Sequence, residues 1–269
     1  MMKVMLKIAE RLAKRCQHNG KLSQAHRWVA LGLSLIPDRD LEQVCHFRNI
    51  RAFLWYLEGS KENFLREVER VLWTSNIFDF EAEIAQCHAL LGIFFQDTQK
   101  NPQRALEEYQ KSLEIRIKLG MRESCAKLHI HIATALKELG IFDKAKVHFF
   151  EAQALTRDRR VRINVILELA RLQRFLQDFA TCETNLQNAL AAAQHRYPNE
   201  VGDCFRELYR LAADKGAHRE AHQYAAQAMS IFEKHDYRAK VDALVAELKE
   251  KGYMHLYTEN IGNTEETKS

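Results

Sequence analysis

Residues Leu128–Leu155 read Leu-His-Ile-His-Ile-Ala-Thr-Ala-Leu-Lys-Glu-Leu-Gly-Ile-Phe-Asp-Lys-Ala-Lys-Val-His-Phe-Phe-Glu-Ala-Gln-Ala-Leu. The spacing predicts two amphipathic helices hinged at Gly140. Ile132, Ala133 and Leu136 share one face of the first; Ala145, Phe149 and Ala152 share one face of the second. Small residues fall where two helices would cross, and a side chain larger than Ala there would push the backbones apart. Large apolar residues fall where one hairpin would meet the next. A lone hairpin cannot bury both faces, so such a unit requires neighbours. Gly at the hinge allows a left-handed backbone at little steric cost.

The pattern recurs in both directions. The first copy reads Ala9, Leu12-Ala13, Cys16, Gly20, Ala25, Val29, Gly32 and closes on Pro37. The third reads His88, Leu91-Gly92, Phe95, Ala105, Tyr109, Ser112, with one extra residue in its turn. The sixth reads Phe205, Leu208-Tyr209, Ala212, Gly216, Ala221, Ala225, Ala228. Copies two and five are degenerate. Around Gly59, Ala52, Trp55, Phe64, Val68 and Val71 fit, but Arg48 and Arg51 stand in apolar slots. Around Gln177, Ile166, Leu169-Ala170, Phe179, Cys182, Leu186 and Ala189 fit, with Gln173 in an apolar slot.

Units placed on this pattern start near residues 6, 45, 85, 126, 163 and 202, at intervals of 39, 40, 41, 37 and 39. Their expected extents are 6–39, 45–78, 85–119, 126–159, 163–196 and 202–235. Residues Tyr237–Lys251 read as a capping helix with Ala239, Leu244 and Leu248 on one side, which makes residues 6–251 one repeat domain. The tail 252–269 is polar and reads as flexible, with Met254, Leu256 and Tyr257 as candidates to dock back. Asn101-Pro102 is a helix-start signal, and Asp79, Asp143 and Asn199 stand where other helices are expected to begin.

These slots resemble the tetratricopeptide repeat (TPR), whose ordinary unit is about 34 residues. Extra residues such as 116–122 lengthen the second helix and its exit loop. The longer period is similar to the subclass found in kinesin light chains, MalT-type regulators and peptide-pheromone receptors of the Rap and PlcR class. The resemblance spans residues 6–235. It implies an all-α fold: a right-handed α-solenoid of about six TPR-like hairpins plus a C-terminal capping helix.

Composition agrees with a helical protein. The 269 residues are 46% hydrophobic and 28% charged, with only 3 Pro and 10 Gly, which places the chain outside the disordered class. Six cysteines lie tens of residues apart without a Cys-x-x-Cys pair, which favours free thiols and a reducing compartment. The first residues lack the continuous apolar core of a signal peptide, and no segment reaches the roughly 20 apolar residues of a membrane span. A cytoplasmic location, without a membrane partner, is the expectation.

No phosphate loop, metal spacing or nucleophile elbow is present, so neither an enzyme nor a cofactor is expected. His129 and His131 are two apart and face different directions on a helix. His218 and His222 are four apart, but no nearby Cys or Asp completes a metal set.

In a stack of hairpins the first helix of each unit lines the inner face. By that rule Arg11 and Lys14 face inward from unit one, and Asn49 and Tyr56 from unit two beside Phe53. Unit four contributes Lys127, His131 and Lys137; units five and six contribute Arg171, Arg174, Arg206 and Arg210. A groove so lined suits a protein or peptide partner, acidic by complementarity, since Arg engages carboxylates bidentately. The opposing interpretation is a solvated, self-paired face: Glu10 precedes Lys14 by four, Glu168 precedes Arg171 by three and Glu207 precedes Arg210 by three. Exposed pairs contribute about 0–1 kcal/mol each, so loss of Arg171 and Arg210 together is expected to leave the fold intact. Both interpretations stand at this level, and self-association is left open.

The carboxylate-clamp subset of the repeat family, which grips chaperone C-termini, needs a Lys and several Asn at fixed slots. Asn49 and Lys127 fall in plausible slots, but unit three has Gln86, Ala89, Leu90 and Ile93 there, so chaperone binding is not expected. The reading that follows is a non-enzymatic interaction module binding a peptide or an extended partner segment in its concave groove. The alternative is a regulator sensing a peptide or small effector, related to pheromone receptors or MalT; such proteins usually carry an output domain, for which a first unit at residue 6 leaves no N-terminal room. Nucleic acid is disfavoured, because a net charge of +4 over 269 residues is modest.

Overall fold

The computed structural model describes residues 2–18, 20–194, 196–235 and 237–253. Among them are thirteen α-helices and no strand. In chain order these are α1 (Met2–His18), α2 (Leu22–Leu35), α3 (Leu41–Leu57), α4 (Lys61–Ile77), α5 (Glu81–Asp97), α6 (Pro102–Lys118) and α7 (Arg122–Glu138). They continue as α8 (Phe142–Leu155), α9 (Arg159–Phe175), α10 (Phe179–Ala193), α11 (Pro198–Asp214), α12 (His218–Lys234) and α13 (Arg238–Glu250). The fold is an all-α repeat of helical hairpins closed by an end helix.

The first helices of the six hairpins begin at residues 2, 41, 81, 122, 159 and 198, each four residues ahead of the start read from the packing pattern. The offset has a physical origin. The first turns carry charged residues such as Glu42, Glu81, Glu123 and Glu200, which suit a helix N-terminus but leave no mark in an apolar pattern.

The chain divides into two compact units, residues 1–148 and 149–269. In the first, α1 pairs with α2, α3 with α4 and α5 with α6; α3 also packs on α5, and α5 on α7. First helices therefore form one row, with second helices outside it. In the second unit α9 pairs with α10 and α11 with α12, α9 packs on α11, and α13 covers α12.

Packing in each hairpin depends on a small residue facing a large one. Gly92 of α5 lies against the ring of Tyr109 of α6, and a Cβ at that glycine would come within 2.3 Å of Tyr109 Cε1. The α11/α12 hairpin inverts the arrangement: Tyr209 sits in the small slot and shares a cluster with Ala221 and Ala225, while Gly202, seven residues earlier, takes the ring of Phe232. Ala145, Phe149 and Ala152 of the central copy are fully buried, as are Ala133 and, within 1%, Ile132.

The degenerate copies replace apolar contact with polar pairing. Arg51 and Arg48 stand 2.9 and 3.8 Å from Glu67 of α4, itself buried at 5% exposure. Gln173 Oε1 accepts a hydrogen bond from Asn185 Nδ2 at 2.8 Å.

Helix ends follow local chemistry. Asn101 caps α6 by accepting from the Arg104 amide at 3.1 Å, ahead of Pro102. Asp40, Asp158 and Asp178 cap α3, α9 and α10 in the same way. Asp143 and Asn199 lie in the first turns of α8 and α11, and Asp79 stands two residues ahead of α5 at φ 55°, so helices begin within two residues of all three. Gly140 ends α7 at φ 75°, and Gln177 makes the same left-handed turn after α9 at φ 62°.

The cysteines are free. No described helix is long and apolar enough to cross a membrane. At the end of the described chain, Tyr253 packs its ring edge on Tyr209 at 5.8 Å and meets His218 Nδ1 through its hydroxyl at 2.7 Å. Met254, Leu256 and Tyr257 lie outside the described residues.

Two stability predictions follow from this packing. Gly92→Ala overpacks the α5/α6 crossing and lowers stability by about 1–3 kcal/mol. Combining it with Tyr109→Leu costs less than the sum of the single changes, as measured by a double-mutant cycle in urea. Gln177→Gly removes left-handed strain at a place where glycine's flexibility costs less than it relieves. It raises the unfolding midpoint by an amount equivalent to about 0.5–1 kcal/mol, at unchanged slope.

Candidate functional site: the inner face of the first helices

Within the first unit, the row α1, α3, α5, α7 bounds a cavity of about 630 Å3. Its apolar floor includes Ile50, Phe53, Leu90, Ile93 and Leu128. Its polar lining includes Lys14, His46, Asn49, Glu83, Lys127 and His131, with Arg116 entering from α6.

Several of these groups are fixed by partners one repeat away. Glu83 of α5 accepts from Asn49 Nδ2 at 2.7 Å and contacts His46 Nδ1 at 3.2 Å; Asn49 is 3% exposed. His46 also lies 3.3 Å from Glu10 through Nε2, so one imidazole ties α1, α3 and α5 together. The hydrogen bond that Glu83 accepts raises the His46 pKa, against the opposing effect of burial. Deeper in the same row, Tyr109 donates to Gln96 Oε1 at 2.9 Å and Gln96 donates to Glu138 at 2.8 Å. His131 stacks on Tyr109 at 5.5 Å, where burial lowers its pKa and keeps the ring neutral.

Of the residues expected on the inner face, Lys14, Asn49, Lys127 and His131 come together around this cavity, as does Phe53. Lys14 is drawn to Glu10 at 2.5 Å, whereas Lys127 is exposed and makes no ion pair among the described residues. Tyr56 stands outside the cavity lining: it stacks on Phe53 at 5.7 Å and donates to Asp97 at 2.5 Å. Arg11 is exposed on α1, and Lys137 occupies the last turn of α7; neither lines the cavity.

The four arginines of the second unit form a separate network in which each is ion-paired. Glu207, 1% exposed, accepts from Arg171 Nε at 2.8 Å and from Arg210 Nη1 at 2.7 Å. Arg171 also pairs with Glu168, Arg210 with Glu247 at 2.7 Å, Arg174 with Asp214 at 2.5 Å and Arg206 with Asp203 at 3.6 Å. Burial alone would lower the Arg171 pKa, but the Glu207 and Glu168 carboxylates outweigh it and raise it. These charges are partnered and tie α9, α11 and α13 together.

Arg116 escapes a reading of first helices because it belongs to a second helix. Its signal was a cation on the buried stripe Ala105, Tyr109, Ser112, Arg116, all four of which are buried. Elsewhere, burial pushes the Cys182 thiol up to about 11 and Cys204 to about 12, so both stay protonated and unreactive. Among the described residues no three of His, Cys, Asp and Glu converge in a way that could hold a metal.

The Arg171→Ala, Arg210→Ala double variant removes both hydrogen-bonded partners of the buried Glu207 carboxylate and leaves only Arg174, 3.9 Å away, in contrast with the intact fold expected when these pairs are taken as exposed. It lowers stability by about 3–5 kcal/mol, and Glu207→Gln in the same chain recovers most of the loss, read from urea unfolding.

No protein-family model and no curated protein matches the sequence. Solved structures do. The chain is similar to a STAND signal-transduction ATPase with a tetratricopeptide repeat sensor from Pyrococcus horikoshii, with a TM-score of 0.69 and 15% identity over 96% of this chain and 43% of that one. It is similar to the apo form of RapI, with a TM-score of 0.66 and 15% identity over 96% of this chain and 73% of that one. PilW, a type IV pilus biogenesis factor, matches with a TM-score of 0.62 and 13% identity over 89% of this chain and 98% of that one. Identities this low carry the architecture alone: the chain has the tetratricopeptide-repeat fold.

Proposed function

We propose that this protein is a non-enzymatic interaction module that holds an extended peptide segment against the inner face of its first unit. The observation that carries this reading is the cavity itself. Four consecutive first helices supply a concave surface with an apolar floor for side chains and fixed polar groups above it, the composition expected of a recognition site. The walls are already held by the Glu10–His46–Glu83 and Asn49–Glu83 links, so little ordering is required when a ligand enters.

A second reading, a regulator that senses a peptide, is supported by similarity to a Rap protein complexed with competence and sporulation factor. There the TM-score is 0.64 and the identity 11% over 96% of this chain. The quorum sensor NprR from B. thuringiensis also matches, with a TM-score of 0.66 and 12% identity over 93% of this chain. Both readings place a peptide in the groove and differ only in what binding then controls.

The test is site-specific photocrosslinking. With a benzophenone side chain at Ile93, on the cavity floor, the full chain captures members of a mixed peptide pool. With the same group at Trp73, which is 71% exposed and absent from the cavity lining, it does not. Equal capture at both positions, or none at Ile93, overturns the reading.

A further inference from the structure

Arg116 differs from the other well-buried or half-buried arginines. Arg51, Arg171, Arg174, Arg206 and Arg210 each have a carboxylate within 4 Å. Arg116 is 7% exposed and makes no ion pair among the described residues. Its guanidinium is held by neutral acceptors: Nη2 donates to Gln86 Oε1 at 2.9 Å and Nη1 to the Ser124 carbonyl at 3.3 Å, while Nε has no partner. Burial lowers its pKa, opposed only at a distance by Cys125 and Glu83. An unneutralised cation in such a place is costly, and a fold retains one where something else supplies the counter-charge.

The surroundings say what that is. Gln86, Ser124 and Arg116 all line the cavity, and so does Lys127. Ser124 and Lys127 stand three apart on α7 and share a face, so the second unpaired cation lies beside the first. Glu83, the acidic residue of the cavity lining, is already engaged by Asn49 and His46. The cavity thus has two unpaired cations, one of them held by neutral acceptors, beside an apolar floor.

We propose that the end of the cavity built by Arg116, Lys127, Gln86 and Ser124 receives a carboxylate of the bound peptide. A single negative charge fits better than a phosphate dianion, because the Glu83 carboxylate lines the same space and would repel the second charge. The principal cation comes from a second helix and is pre-aimed by Gln86 and the Ser124 carbonyl, so the ligand need not order a flexible side chain. Arg116, on a second helix, stands outside the first-helix slots that the chaperone-binding clamp uses, although Lys127 falls in one of them. The inference rests on the peptide reading and adds the chemistry that the peptide must carry.

The test uses the full chain and a positional-scanning library of amidated peptides in which each position in turn is Glu, Gln or Lys. A parallel library carries free C-termini. The parent protein enriches Glu over Gln at one position, or free over amidated ends, by about tenfold, which identifies the carboxylate as a side chain or a terminus. Lys127→Met, an exposed change without folding consequence, and Arg116→Met each abolish the preference, with melting curves as the folding control. Retained peptides without a preference for the carboxylate, or a preference that survives both variants, overturn this inference alone. No retained peptide in either library overturns the peptide reading as well.

Discussion

Two helices can pack this closely only if, at their crossing, one of them contributes almost nothing. Gly92 against Tyr109 and Gly202 against Phe232 are two such cases within a hairpin, with ring carbons where a Cβ would otherwise stand. Fully buried alanines such as Ala52, Ala133 and Ala170 hold the same role in other copies. Close approach lets an aromatic ring cover the opposing backbone and fixes the two helices rigidly enough for the next hairpin to dock. Within each unit the first helices then fall into a row, on which the cavity of the first unit and the charged network of the second each depend.

A second set of interactions runs along the row at the period of the repeat. Asn49 reaches Glu83, Tyr56 reaches Asp97, Gln96 reaches Glu138, Arg171 reaches Glu207 and Arg210 reaches Glu247. Each joins one first helix to the next, except the last, which joins α11 to the end helix α13. Apolar packing between hairpins has no direction, whereas these bonds have a required length and angle, so they set the register in which neighbours stack. In the second unit the network consumes the arginines. In the first it engages Glu83 and His46 but leaves Arg116 and Lys127 unpaired, and that asymmetry separates a braced surface from a receptive one.

The hairpins were legible in the sequence because steric demands at a crossing leave a residue signature at every copy. The first turns of the first helices left none, since charges at a helix start carry no packing period. At Gln177 the turn was read from the packing residues on either side, while its left-handed backbone, φ 62° against 75° at Gly140, was not, because a glutamine side chain does not advertise that conformation. Of the cavity, Lys14, Asn49, Lys127 and His131 could be read from helical spacing alone. The bonds of Asn49 and His46 to Glu83 could not, because they join residues 34 and 37 positions apart. Local pairs such as Glu207–Arg210 were visible, but the burial of Glu207, which turns a surface pair into a structural one, appears only when neighbouring helices are in place.

The inverted crossing of α11 and α12 has a consequence for how such a chain can change. In α5/α6 the ring is on the second helix and the gap on the first; in α11/α12 Tyr209 reverses the assignment, and Gly202 with Phe232 restores a ring-and-gap pair one heptad away. A recombinant joining α5 to α12 would set Gly92 opposite Ala225 and leave a void. The reciprocal joining of α11 to α6 would drive Tyr209 into Tyr109. The heritable module is therefore the whole hairpin, and crossovers are tolerated in the loops between hairpins but not in the turn within one.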